Sequence, residues 1–409
     1  RRPMIRPIDR LAPPAWLTAP TSVAIFDALA AAGGTARFVG GAVRNLLRGA
    51  PVSDLDMAVD LPPEAVLKAL RKAGLKAIAT GLAHGTVTAL TGERRYEITS
   101  LRQDVATDGR HAVVAYGQDW AVDAARRDFT MNALYLDRDG ALFDPVGGRV
   151  DAEVGRVRFI GAPATRLVED ILRLLRFYRL HAAFGAGPPD PAGRAACRAA
   201  AGDLPRLSGE RVADEMNKLL AAPAAATALA AMAEDEIWPH LGLGPVDPAR
   251  AGRVIGADPA PTPDNLRRLA ALCRAPATAA ARLRLSKGAA KRLSAASEPL
   301  PSVHDARHRR AALYRLGCET FCDRVALAHG AGELDPAHFE AAWRLAASWT
   351  PPRLPLDGKD LRALGIAEGA AIGQVLRAVE AWWLAGDFQG DHAACLAEAK
   401  RYWATARGG

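Results

Sequence analysis

The stretch Phe38–Val59, FVGGAVRNLLRGAPVSDLDMAV, decides how the sequence around it folds. Ala36 to Val39 reads as a short apolar strand, Gly40-Gly41 breaks it, a helical turn carries Arg44, and a second strand holds Asp54 and Asp56. Each piece suits a nucleoside triphosphate on a divalent metal. Glycines let the backbone approach closely and aim N–H groups at phosphate oxygens, and the helix that follows adds the positive end of its dipole. Residues two apart on a strand share a face, so Asp54 and Asp56 point one way while Leu55 and Met57 point the other. Two hard carboxylates on one face are what a pair of Mg²⁺ ions needs for phosphoryl or nucleotidyl transfer. A glycine pair before a helix is ordinarily only a turn, and Asp-x-Asp is common in loops. The two in this order within about 20 residues point to catalysis.

Working outward, Thr21 to Ala32 predicts a helix ending at Gly33-Gly34, and Pro62-Pro63 open another over Glu64 to Ala73. Gly85–Leu90 and Tyr96–Leu101 predict two strands joined at Gly92-Glu93. Glu97 is then either a third carboxylate for the metal site, if its strand lies beside that of Asp54 and Asp56, or a solvated edge residue. Asp104 to Gln118 is polar and glycine-containing, and reads as a loop near the site with Arg102, Asp104, Asp108 and Arg110 as its charged members. In AARRDFTMNAL, Ala124 to Leu134, Asp128 is placed to cap a helix whose first turn presents Asn132. In RLVEDILRLLRFYRL, Arg166 to Leu180, an amphipathic helix sets Asp170 and Arg173 three apart on one face. That pair is either an ordinary intrahelical ion pair or a hydrogen-bonding edge with an acceptor beside a donor. Cytosine and adenine both offer an amino donor beside a ring-nitrogen acceptor and fit such an edge. Guanine and uracil present a carbonyl where Asp170 needs a donor, a mismatch that discriminates by a factor on the order of 10⁴.

Three of these segments resemble the nucleotidyltransferase head and neck shared by CCA-adding tRNA nucleotidyltransferases and bacterial poly(A) polymerases. The first resembles the family's GG-x-V-R-D followed by D-x-D, with Asn45 standing where the family usually has Asp. The second, Arg126 to Ala133, is similar to the family's R-R-D-F-T-x-N-A run, and implies that Arg127, Asp128 and Asn132 hold ribose and triphosphate alongside Gly40, Gly41 and Arg44. A 2′-hydroxyl, both donor and acceptor, suits an Asp/Asn pair. The third resembles E-D-x-x-R and implies that Asp170 and Arg173 select the base while Glu169 orients Arg173. Arg176 and Arg179 are then either RNA phosphate contacts, with Arg110, or a solvated basic stripe. In the family a loop like Asp104–Gln118 helps switch the enzyme from adding C to adding A, and this one looks full length. Ser208 to Leu220 looks like the family's next helix. Leu283–Leu293 and Leu356–Ile366 resemble its body and tail less specifically.

The resemblance implies an α/β nucleotidyltransferase head followed by an all-helical neck, body and tail. We divide the chain into a lead (1–20), head (21–150), neck (151–225), body (226–330) and a tRNA-binding tail (331–409). It implies addition of CMP and AMP from CTP and ATP to the 3′ end of tRNA, with Asp54 and Asp56 holding two Mg²⁺ ions. A poly(A) polymerase, a CC-only or A-only enzyme, and an RNA-binding protein with an inactive head are the alternatives.

At 409 residues the chain has room for more than one core. A net charge of +8, mostly from arginine, favours a polyanionic partner. No apolar run approaches the roughly 20 residues of a membrane span, and the basic lead with its prolines is not a secretory signal, so the cytoplasm is expected. The five cysteines form no CxxC pair, and Cys318 and Cys322, at helical spacing, read as two buried thiols. His304-Asp305 reads as a surface dipeptide rather than the core of a metal site. Arg307, Arg309, Arg310 and Arg315 are either a solvated helix face or an RNA-backbone contact.

Overall fold

The apolar strand and the Asp-bearing strand of the opening stretch lie side by side. The computed structural model describes residues 5–81, 85–91, 94–107, 112–259, 262–366 and 369–408. It divides into two compact units, Arg1–Gly242 and Leu243–Gly409.

The first unit is built on a mixed sheet. Its strands are β1 (Asp9–Arg10), β2 (Ala36–Val39), β3 (Leu55–Val59), β4 (Lys76–Gly81), β5 (Thr86–Thr91), β6 (Arg94–Ser100), β9 (Tyr135–Leu136) and β10 (Ala141–Phe143), in the order β1-β10-β9-β2-β3-β6-β5-β4. β2 runs antiparallel to β3 with Phe38 opposite Met57, whereas β3 and β6 are parallel with Asp56 beside Glu97. Alternation sets the faces. Leu55, Met57, Tyr96 and Ile98 are each no more than 2% exposed, while Asp56 and Glu97 between them are partly exposed. Phe38 anchors the core, edge-on to Trp16 at 4.9 Å and to Phe26 at 5.5 Å, and Ser22 ties the Tyr96 hydroxyl to α1 (Pro20–Ala31) at 3.0 Å.

The segment read as a loop is a hairpin. β7 (Arg102–Thr107) pairs antiparallel with β8 (Ala112–Tyr116), apart from the main sheet. The run AVVAY has the β-branched and aromatic residues that strands favour, which outweighs its polar flanks. Arg110 and Asp108, and the turn at Gly92-Glu93, lie outside the described residues.

Further helices follow: α2 (Gly41–Leu47), α3 (Pro63–Lys72), α4 (Trp120–Ala125), α5 (Arg149–Val154), α6 (Pro163–Glu169), α7 (Leu172–Phe184), α8 (Pro191–Ala200), α9 (Gly209–Ala221) and α10 (Ala225–Glu234). Two regions differ from the expectation. Asp128 caps no helix: α4 precedes it, capped by Asp119, which accepts from the Ala121 and Val122 amides, and Thr130–Asn132 is a single 3₁₀ turn. The helix expected over Arg166 to Leu180 is two helices, because Asp170 is extended at φ −153°, ψ 107°. Its Oδ1 instead accepts from the Leu172 amide at 3.1 Å, the competition with the helix that short acidic side chains offer. The division at residue 225 also shifts. α10 belongs to the first unit rather than to a separate body, since buried Asp235 just beyond its end accepts from Tyr178 on α7 (2.7 Å) and from Arg194 and Arg198 on α8.

Among its described residues the second unit is helical throughout, ten helices from Pro248–Ala257 to His392–Gly408. Buried Asp323 accepts from Arg267 and Arg292, and a terminal cluster of Leu356, Leu361, Val375, Val379 and Trp383 forms its own core. Cys318 is exposed, in contrast to the expected buried pair with Cys322: it stands at the first position of its helix, where the side chain is not enclosed. No described helix is long and apolar enough to cross a membrane.

Candidate active site

The turn between β2 and α2 sits over the carboxylate of Asp56 on β3. Gly40 has φ 73° and ψ −128°, a conformation that other residues rarely adopt, and a Cβ there would lie 3.9 Å from Asp56 Oδ2. Asp56 is on β3; Asp54 stands one residue before the strand begins. Burial, and then the charges of Glu97 and Asp54, push the Asp56 carboxyl up to about 6 against the opposing pull of Arg127 and Arg44. Among the described residues neither Asp54 nor Asp56 forms an ion pair, whereas Glu97 meets Arg95 at 2.7 Å on the half-exposed rim.

This donor set fits Mg²⁺. It offers only hard carboxylate oxygens, and the burial and mutual repulsion that raise Asp56 are what a divalent cation offsets. The three carboxylates do not all gather within 4.8 Å of one another: among the described residues only His304, Asp305 and His308 bring three ligating atoms that close. That second cluster is a helix cap. Asp305 accepts from the His308 amide and ring, and Asp335 accepts from the His338 amide and ring in the same way with no third ligand.

Arg44 lies beneath the glycine turn, 6% exposed, with its guanidinium 3.5 Å from the centre of the Phe184 ring. Its partners are neutral. It donates to Asn132 Oδ1 at 2.6 Å and to Asn45 Oδ1 at 3.1 and 3.0 Å. Burial, then the nearby Arg179 and Arg48, lower it to about 10. Asn45 in turn donates to the Pro51 carbonyl at 2.8 Å, tying α2 to the loop that leads to Asp54.

Arg127 and Asp128 are neighbours in sequence with separate environments. Arg127 donates to Asp123 Oδ2 at 2.9 Å and to the Tyr135 hydroxyl at 3.3 Å; burial works against its charge, but Asp123 and Tyr135 more than offset that. Asp128 meets Arg176 at 2.7 Å and Arg173 at 3.5 Å. Arg173 also donates to Glu169 and to the Arg166 carbonyl at 2.9 Å, and Arg166 grips Glu169 from the other side at 2.7 Å. Asp170 does not stand beside Arg173 as one edge of a continuous helix. Its carboxylate meets Arg211 of α9 at 2.8 Å.

Arg176 and Arg179 form no free basic stripe, since Arg179 meets nearly buried Glu215 at 2.6 Å and Arg176 is held by Asp128. In the second unit Arg310 pairs with Asp387, and Arg309 and Arg307 donate to the Val303 and Ala385 carbonyls.

Three residues of this network, Asp123, Arg166 and Arg211, carry no role in the sequence motifs. Asp123 stands three and four residues before Arg126 and Arg127, a helical spacing that signals its role. Arg211 is 41 residues from Asp170, and no local pattern announces that contact. Asp144, in the turn between β10 and α5, accepts from the Gly148 and Arg149 amides at 2.8 and 3.0 Å. A Cβ on Gly148 would fall 2.0 Å from the Thr130 carbonyl, so the turn packs directly under the Thr130–Asn132 segment.

A mixed-sheet head with uncompensated carboxylates under a glycine turn, followed by an arginine-rich helical neck, has the make-up of a nucleotidyltransferase. The family model described as the Poly A polymerase head domain matches residues 36–158, and that described as a probable RNA and SrmB-binding site of polymerase A matches residues 189–242. The mitochondrial CCA tRNA nucleotidyltransferase 1 of Danio rerio is 33% identical over 368 residues, 86% of this chain and 84% of that protein. The CCA-adding enzyme of Limosilactobacillus fermentum is 28% identical over 385 residues, 91% of this chain and 94% of its own. Among solved structures, the Bacillus stearothermophilus CCA-adding enzyme in complex with CTP superposes with a TM-score of 0.78 at 26% identity, covering 97% of this chain and 100% of that one. The chain belongs to the CCA tRNA nucleotidyltransferase family.

Proposed function

We infer that this protein adds CMP and AMP, without a nucleic-acid template, to the 3′ end of tRNA, using CTP and ATP. The relatives covering most of its length are CCA-adding enzymes, and one was solved with CTP. The observation that carries a live catalytic head rather than an inactive one is Asp56, a half-enclosed carboxylate raised to about 6 with Glu97 in register beside it and no cationic partner among the described residues.

In the mechanism we propose, Asp54 and Asp56 hold divalent ions, with Glu97 at the margin. Mg²⁺ bound there supplies charge that favours ionisation of the RNA 3′-hydroxyl and offsets the charge developing on the triphosphate. The chain's own groups position the reactants. The Gly40-Gly41 turn lets the triphosphate approach the backbone, and Arg44, which has only amide oxygens as partners, keeps its charge for the phosphates. Arg127, fixed by Asp123 and Tyr135, and Asn132, fixed by Arg44, serve phosphate and ribose, and Asp128 serves the ribose from its place between Arg173 and Arg176. Arg173, oriented by Glu169, donates to the ring nitrogen of cytosine or adenine while Asp170 accepts from the amino group. Catalysis is then mostly alignment and charge stabilisation. The reaction's compartment in this reading is the cytoplasm, where tRNA, CTP and ATP meet.

The test is incorporation of labelled CTP, ATP, GTP and UTP, singly and mixed, with Mg²⁺, into tRNA transcripts ending before CCA, after C and after CC. Arrest after three residues, with GTP and UTP ignored, is the expected result. Long A tails would move the assignment to poly(A) synthesis, and C alone or A alone to a partial adding enzyme. Bound tRNA without incorporation would leave an RNA-binding protein.

A further inference from the structure

The two groups assigned to the base are held in different ways. Arg173 is held locally, by Glu169 four residues earlier and by the Arg166 carbonyl. Asp170 occupies the break between α6 and α7, where its extended backbone removes it from either helix's packing. Its Oδ1 accepts from the Leu172 amide, and both of its oxygens accept from Nη2 of Arg211, at 3.1 and 2.8 Å. Arg211 stands in the first turn of α9, behind the Ser208 cap. Its side chain is 41% exposed and that of Asp170 33%. An ion pair so exposed adds little to stability. What it fixes is direction.

A carboxylate offers about four acceptor positions. The Leu172 amide and the two contacts from Arg211 take three, which leaves one on Oδ2. One acceptor position is what the amino group of cytosine or adenine requires. We propose that Arg211 is a positioning residue for nucleotide selection: from another helix it holds Asp170 so that a single acceptor meets the base edge. Without Arg211, the side chain at the helix break turns about χ1, and the edge no longer presents a fixed acceptor. A base with a carbonyl at that place is then refused less firmly. This rests on the reading that Asp170 and Arg173 select the base, so the experiment tests the two separately.

Single-nucleotide incorporation into tRNA ending before CCA and into tRNA ending in CC, the acceptors for C and for A, would be measured with each of the four triphosphates for the parent, Arg211→Met, Arg211→Lys and Asp170→Ala, together with tRNA binding and melting temperature. For Arg211→Met, the UTP and GTP rates relative to CTP and ATP should rise about tenfold, the effect of losing one charge-assisted hydrogen bond. KM for CTP and ATP should rise more than kcat falls, and tRNA binding should not change. Lysine keeps the charge but lacks the planar fork, so Arg211→Lys should restore part of the discrimination; it also serves as the readout if Arg211→Met does not fold. A uniform fall for all four nucleotides, or a lower melting temperature with unchanged ratios, would overturn the role of Arg211 while Asp170→Ala still loses selectivity. Unchanged ratios in Asp170→Ala as well would overturn the assignment of the base edge itself.

Discussion

The acidic groups of the head and those of the neck are in opposite electrostatic states. Around the base-selecting pair each acid has its arginine: Asp128, reaching in from the head, with Arg173 and Arg176, Glu169 with Arg166 and Arg173, Asp170 with Arg211, Glu215 with Arg179. In the head, Asp54 and Asp56 form no ion pair among the described residues, and burial and Glu97 push Asp56 up to about 6. The neck is electrostatically complete and the head is not. A site that chooses among bases needs fixed donors and acceptors before the ligand arrives. A site that works through a divalent ion has to leave its carboxylates unpaired, at the cost of repulsion, until the ion binds. One chain carries both because it places the two kinds of acid on separate segments, β3 and the residue before it for one, and Asp128 with the helices α6 to α9 for the other.

The largest test of this contrast removes a head carboxylate. Asp56→Ala should lower incorporation by on the order of 10³-fold, since metal-borne charge stabilisation is worth several kcal/mol of the barrier, and tRNA binding should persist in a filter assay. The same variant should lose the rise in melting temperature that Mg²⁺ gives the parent. A variant that still incorporates at near-parent rate would show that the head does not work through this carboxylate. On the neck side, Arg173→Ala should lose about 10²-fold of the discrimination against GTP and UTP, part of the ceiling that unpaired polar groups set. Its total incorporation should fall less than that of Asp56→Ala. Retained exclusion of GTP and UTP would separate selection from the Glu169–Arg173 pair.

How far the sequence reveals each region follows from the range of its contacts. The head is legible because its geometry is local. Alternation along one strand sets Asp56 opposite Leu55 and Met57, and a glycine pair announces the turn above it. The neighbouring strand with Glu97 in register is only a condition at the level of sequence, because pairing between distant strands leaves no local mark. The neck misleads in a particular way. The helical period of RLVEDILRLLRFYRL is genuine on both sides of Asp170, and the break comes from one side chain bonding the Leu172 amide and a distant arginine. Periodicity describes the apolar face and is silent about a polar residue that leaves the helix. The hairpin over β7 and β8 is hidden for a related reason: its polar flanks and glycines read as a loop, while its short β-branched centre decides the outcome.

A third test uses pH to read the incomplete state of the head. Asp56 titrates near 6, above the ordinary carboxylate value of 3.8. Folding therefore favours its protonated form; that contribution is fully present below about 3.8 and is lost as pH rises through about 6 in the metal-free protein. Mg²⁺ competes with the proton, so the rise in melting temperature on adding Mg²⁺ should be larger at about pH 7.5 than at about pH 5. At limiting Mg²⁺, incorporation should fall about tenfold per unit below about pH 6, as competition with one proton requires. Saturating Mg²⁺ should move that fall to lower pH. A pH-independent effect of Mg²⁺ on melting would mean that the ion binds away from Asp56.

The smallest effect belongs to the one position in the opening stretch that departs from the family's usual residue. Asn45 accepts from Arg44 with its oxygen and donates to the Pro51 carbonyl with its nitrogen, so it needs both halves of an amide. An aspartate could accept from Arg44, but it would set a carboxylate oxygen against the Pro51 carbonyl and place a full negative charge on a guanidinium that now has only neutral partners. Asn45→Asp should therefore release the tie between α2 and the loop leading to Asp54, and draw Arg44 away from the triphosphate. Loss of one hydrogen bond of about 1 kcal/mol corresponds to roughly a fivefold rise in KM. That rise should be equal for CTP and ATP, because neither Asp170 nor Arg173 is touched, and discrimination against GTP and UTP should stay as in the parent. An unequal rise would tie Arg44 to the base edge. A fall in kcat at unchanged KM would tie it to the carboxylates instead, and either result would erase the separation between an incomplete head and a complete neck.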